Sequence, residues 1–322
     1  MTRIPAFDGV RAVAILMIVT CHVCYGAGAG TWGQFLGGTF NAVFFLLSAV
    51  LLGIVNKPET GGGGKTSTRR FLFKRWLRLA AGLYPFLLAC TVVYVLAGID
   101  FSPKALVLNF LMLGWVDRLP GLGQLWFVTM IAACYALLAL LRRRPSRFRH
   151  PAAWALLLVP GMALDALGLP GYSFLVLAYC ALAFLYARPL VDWSLTVKPA
   201  WLVCGTLVVG VSVFLCIDRG MLHVGEPAYY YATACSGIAA FVLLLRLFTH
   251  WLPGKILCAV SAVSYELYLV HHPLCLGELS LFGLCPSVHS SCVALLIYAV
   301  SGVAAWGLHR VAVCITAWAK RK

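Results

Sequence analysis

Ten stretches of the chain are nearly unbroken runs of apolar residues: 10–27, 36–55, 76–98, 122–141, 152–169, 172–187, 199–217, 228–249, 255–277 and 290–312. Most approach the ~20 residues that an α-helix needs to cross the hydrocarbon core of a bilayer. The pattern predicts an all-α polytopic membrane protein with about ten transmembrane helices and short loops. An eleventh run, "ALVLNFLMLGWV" at 105–116, is too short to span and is expected as a short re-entrant or interfacial segment.

Composition agrees. The chain is 62% hydrophobic and 11% charged, against about 45–50% and ~25% in a soluble domain. Charge sharpens the topology. The formal net charge is +15, and with ten spans 22 of the 25 lysines and arginines lie on the side of the two termini. Only Lys104, Arg118 and Arg219 fall elsewhere; a crossing at 105–116 would move "RRRPSRFRH" to the opposite side. The positive-inside rule therefore favours both termini in the cytoplasm. It reads the basic excess as topogenic and in contact with anionic membrane lipids, not as a nucleic-acid surface. No outer loop is long enough for a soluble domain, so residues 1–322 are expected to form a single membrane domain with no soluble appendage.

The 13 cysteines sit mostly inside apolar runs, where cysteine behaves as a small hydrophobe, and no Cys/His spacing suggests a metal. Cys275, Cys285 and Cys292 lie near a loop where a disulfide can form if the compartment is oxidising. The stretch "TGGGGKTS" (60–67) imitates a phosphate-binding loop, but Glu59 occupies the first glycine position. No strand precedes it, so a flexible loop is expected.

Charge inside the apolar runs is more informative, because a bilayer penalises it. Arg11 and His22 are eleven residues apart in the first run, about 16 Å of rise and about 20° from the same helical face. Asp8, three residues before Arg11, is placed to pair with it. Arg75 and Arg78 flank Trp76 at the start of the third helix and share a face; they can present two cations to a phosphate-bearing ligand. In "SAVSYELYLVHHPL" (261–274), Ser264, Tyr268 and His271 share a face, with His271 at a depth similar to His22. Two histidines at one depth can share a proton or hold an acceptor hydroxyl. Glu266 is about 140° off that face and is expected to pair with another helix. Gln124 and Trp126 read as part of an outer aromatic belt.

Several motifs, in order, resemble the acyltransferase family 3 membrane proteins. "FDGVRAVAILMIVTCH" carries an arginine and a histidine separated by ten residues, as the family's signature does. "NAVFFLLSAVLLG" (41–53) is similar to its second-helix segment, "FLFKRWLRLAAGLYP" (71–85) to its basic lead-in to the third helix, "LWFVTM" to its Leu-Trp segment, and "SYELYLVHHPL" to its Tyr-Leu-Val-His motif. The chain departs from the pattern at Ala42, where an aspartate is common, at Ala49 in place of a glycine, and at an apparent insertion "AAG" before Tyr84-Pro85.

The resemblance implies an integral-membrane O-acyltransferase of the bacterial inner membrane, most often an O-acetyltransferase. It implies a cytoplasmic acyl-CoA donor, usually acetyl-CoA, no metal, and a hydroxyl acceptor on a cell-surface carbohydrate or its lipid-linked precursor. Carried over to matching positions, Arg11 binds the donor, with Arg75 and Arg78 as further candidates. His22 acts as general base or relays the acyl group through an acyl-His intermediate; His271 and Tyr268 are further candidates, for orienting the acceptor. The alternative from the residues alone is a transporter or flippase for a lipid-linked sugar, with Arg11 and His22 as a conduction path.

Overall fold

A computed structural model describes residues 4–55, 64–143, 152–167 and 171–321. The elements are α1 (Pro5–Gly26), α2 (Gly30–Val55), α3 (Gly64–Ala97), α4 (Pro103–Phe110), α5 (Trp126–Arg143), α6 (Ala152–Ala166), α7 (Tyr172–Leu185), α8 (Ala187–Thr196), α9 (Pro199–Asp218), α10 (Pro227–His250), α11 (Lys255–Ala262), α12 (Ser264–Cys275), α13 (Leu281–Leu284) and α14 (Ser290–Arg321), with a 3-10 turn at Gly123–Leu125. No strand occurs among the described residues. The protein is an all-α polytopic membrane protein.

The described part of each of the ten apolar runs is largely helical. Among the described residues, seven helical segments are individually long and apolar enough to cross a membrane. The others are shorter or broken. α7 and α8 turn through 76° at their junction, and α6 has 15 residues. The run at 255–277, expected as one helix, breaks at Val263 (φ −102°, ψ 11°) into α11 and α12. The break lies between Ser261 and Ser264. The 105–116 segment forms only the eight-residue α4, about 12 Å long, and does not span. Ser102 caps it by accepting from the Ala105 N–H, with Pro103 in the first turn.

α3 begins earlier than its apolar pattern suggests. The flexible loop expected at 60–67 is helical from Gly64 onward, while 60–63 lie outside the described residues, as do Arg144, Arg147 and Arg149 of the second basic cluster. Arg75 and Arg78 are therefore well inside α3, not at its start.

The chain packs as two compact units. One comprises residues 1–21, 30–68 and 133–261. Within it α2 is the central element, packing against α7, α8, α9 and α10. Small residues allow this: a Cβ on Gly38 would lie 2.6 Å from Thr233 Cβ, and one on Gly237 would lie 2.6 Å from both Ala42 Cβ and Thr39 O. With lipid as solvent, burial of apolar surface between helices gains little and close backbone contact matters more. The Thr39 hydroxyl also donates to Ser236 Oγ at 3.2 Å between α2 and α10. The other unit comprises 22–29, 69–132 and 262–322, with α12 packed against α14, α13 and the 3-10 turn.

Gly237→Val is expected to force α2 and α10 apart, at a cost of about 1–3 kcal/mol. Thermal unfolding of the purified protein in detergent checks this; an unchanged midpoint would refute the close-packing account.

Candidate active site

The first polar cluster is built on the opening turns of α1. Pro5 occupies the first helical position, where its missing N–H costs nothing. Gly9 lies directly against the Phe248 ring, leaving no room for a Cβ. This contact seats the helix against α10 and sets the heading of the next turn. There Arg11 Nη1 donates to Asp8 Oδ1 at 3.3 Å and to Ser261 Oγ at 3.2 Å, while the Ser261 hydroxyl donates to the same Asp8 oxygen at 2.8 Å. Asp8 is buried, and the Arg11 side chain retains 19% of its exposure. The cation is thus held by a carboxylate and a hydroxyl with part of its surface accessible.

A cavity of about 390 Å³ borders the same end of α1, lined by Phe7, Leu245 and Phe248 with Arg188 and Asp192 as its charged members. On α3, Arg75 is half-buried with its guanidinium 5.4 Å from the centre of the Phe71 ring, and Arg78 is exposed one turn later.

The second cluster joins the last turns of α1 to α12 and the 3-10 turn. His22 Nδ1 and His271 Nε2 are 3.0 Å apart. The His22 ring also meets the His272 ring edge-to-face, with centroids 4.5 Å apart. His271 Nδ1 lies 2.9 Å from Leu267 O, and His272 Nδ1 lies 2.7 Å from Gly121 O. His271 is 0% exposed, whereas His22 is only half-buried.

Pro273 explains much of this arrangement. It has no N–H to offer the Leu269 carbonyl four residues back, and an unpaired carbonyl in an apolar bundle is costly. Gln124 Nε2 donates to Leu269 O at 2.8 Å instead. That bond draws Gln124, expected at the outer surface, into the core at 1% exposure. Trp126, two residues on, remains half-buried. The Tyr268 hydroxyl donates to Gln124 O at 2.7 Å and fastens the turn from the other side. A Cβ on Gly123 would sit 2.9 Å from His272 Nε2, so the turn also presses on that imidazole.

The structure thus brings His22, His271 and Tyr268 into one cluster and places Arg11 with Asp8. Glu266 pairs with His309 of α14 at 3.1 Å, as its offset face suggested. Sequence reasoning missed His272, Gln124 and Ser261. The signal for Gln124 was Pro273, which predicts an orphan carbonyl one turn earlier. The cysteines at 275, 285 and 292 are free thiols. Among the described residues, no cluster of His, Cys, Asp and Glu has metal-binding geometry.

Fold and site together define a polytopic membrane protein with a histidine cluster built into its helices. The chain belongs to the acyltransferase 3 family, whose model, described as an acyltransferase domain, matches residues 4–316. It is a membrane-bound acyltransferase. Comparison with the curated proteins gave no match, and comparison with the solved structures gave none.

Tyr268→Phe is expected to remove one of the bonds to the Gln124 carbonyl, which also accepts from the Trp126 N–H, and to destabilise the protein by about 0.5–1.5 kcal/mol. A melting midpoint equal to wild type would show that the clamp contributes nothing.

Proposed function

We propose that the protein is an O-acyltransferase, specifically an O-acetyltransferase, that moves an acetyl group from cytoplasmic acetyl-CoA to a hydroxyl of a cell-surface carbohydrate or its lipid-linked precursor. On this reading it is one membrane domain in a bacterial inner membrane with both termini cytoplasmic. The carrying observation is the position of His22: within the family match, eleven residues after Arg11 on one continuous helix, and paired with a second imidazole.

Arg11 is assigned to the phosphates of the donor, with Arg75 and Arg78 as further anion contacts. Its guanidinium is pre-oriented by Asp8 and Ser261, so little side-chain entropy remains to be lost on binding. His22 is assigned as general base. It takes the proton of the acceptor hydroxyl as that oxygen attacks the thioester carbon, and returns it to the departing thiolate as the carbon–sulfur bond breaks. His271 and Tyr268 complete the site behind it. The charge distribution favours entry of the donor from the face that carries most of the lysines and arginines.

The test uses purified wild type, His22→Ala and Arg11→Ala with labelled acetyl-CoA and an extract of envelope carbohydrate. CoA release is expected to fall about 10²–10⁴-fold in His22→Ala. Arg11→Ala is expected to weaken donor binding. Folded wild type that binds no acetyl-CoA would overturn the proposal and favour a transporter.

A further inference from the structure

We propose that His271 is a positioning residue: it holds His22 in the tautomer that carries its proton on Nδ1 and its lone pair on Nε2. This rests on the reading of His22 as the general base and adds how that base is oriented. The hydrogens can be counted along a chain of three groups. A backbone carbonyl can only accept, so the 2.9 Å contact between Leu267 O and His271 Nδ1 fixes the His271 proton on Nδ1. A neutral His271 then has an accepting lone pair on Nε2. The 3.0 Å contact with His22 can be made only if His22 Nδ1 supplies the hydrogen. His22 Nε2 is consequently the basic nitrogen.

Burial separates the roles. His271 is 0% exposed and cannot meet an acceptor hydroxyl, whereas half-buried His22 can. His272 cannot replace His271. Its Nδ1 proton is spent on Gly121 O at 2.7 Å, and its ring meets that of His22 edge-to-face. Its ring forms a second wall that limits rotation of the base. Neither neighbour adds a formal charge beside His22 while both imidazoles are neutral.

The chemical step balances on this chain. The acceptor O–H proton moves to His22 Nε2 as the oxygen forms its bond to the acyl carbon. His22 becomes an imidazolium whose Nδ1–H still donates to His271 Nε2. Collapse breaks the carbon–sulfur bond, and the Nε2 proton passes to the CoA thiolate. His271 keeps its own proton on Nδ1 throughout, so it orients the base and supports its cation without exchanging protons. The logic is that of a base whose second nitrogen is held by a third group, here an imidazole anchored on a helix carbonyl.

Nitrogen NMR of histidine-labelled protein in nanodiscs, together with steady-state kinetics of His271→Leu and His271→Gln, tests this. Wild-type His22 is expected protonated on Nδ1. In His271→Leu that preference is expected to be lost and kcat to fall about 10²-fold, with the acetyl-CoA KM unchanged. In His271→Gln, the side-chain oxygen can accept from His22 Nδ1 and is expected to restore much of kcat. Wild-type His22 protonated on Nε2 overturns the proposal whatever the variants do, as does full kcat in folded His271→Leu. The expected tautomer in a wild type that releases no CoA would overturn the acyltransferase role of His22 while leaving the hydrogen-bond assignment standing.

Discussion

The contact between His22 and His271 depends on a constraint that runs through the whole fold. Inside an apolar bundle there is no water to satisfy a stray polar group, so a partner within the protein is strongly favoured, although Gln124 Oε1 and Ser301 Oγ are buried with none. α12 shows how this works. Its proline opens the Leu269 carbonyl, Gln124 closes it, and Tyr268 fastens Gln124 from the same helix. The His271 ring, one turn after Leu267, bonds the carbonyl beneath it and turns its other nitrogen to α1. Remove the need to satisfy these groups and nothing would fix the depth or rotation of the imidazoles. The site is in this sense a by-product of helix bookkeeping in a dry medium.

Arg11 obeys the same rule at the other end of its helix. A guanidinium alone in such a setting is expensive. Asp8 and Ser261 form a closed triangle with it, and the carboxylate is buried to do so. The triangle also explains why Gly9 stands between Asp8 and Arg11. Any side chain there would collide with Phe248 and tilt the turn that aligns the two charges.

Much of this was legible in the sequence because much of it is local. The apolar runs locate the helices, since twenty apolar residues have few alternatives in a membrane. Asp8 and Arg11 were predictable partners because three residues is one turn. The offset of Glu266 from His271 correctly sent it elsewhere, to His309. The break at Val263 was not legible, because two serines and a valine are compatible with an unbroken helix. Nor was the size of the bend between α7 and α8, which falls at the end of the 172–187 run beside Arg188 and Pro189. Ser261 and Gln124 were invisible for another reason: each contacts residues 145 or more positions away. Periodicity along one helix says nothing about which helix faces it. The shared depth of His22 and His271 followed from topology, but their hydrogen bond needed the fold.

On the proposed reading, one helix carries two roles. Arg11 and His22 are about 16 Å apart along α1, so a single small substrate cannot touch both. CoA can, in principle, because its phosphates lie at one end and its thioester at the other, joined by a long flexible arm. The spacing thus suits a donor that is held at its charged end while it reacts at its uncharged end. A conducted ion or proton would instead need titratable groups at intermediate depth, and from Ala12 to Cys21 the only side chains with polar atoms are Thr20 and Cys21, next to His22. Thr20 spends its hydroxyl on the Leu16 carbonyl of the same helix. Ten nearly apolar positions between Arg11 and His22 fit the proposed tethered donor better than a relay of hopping charges.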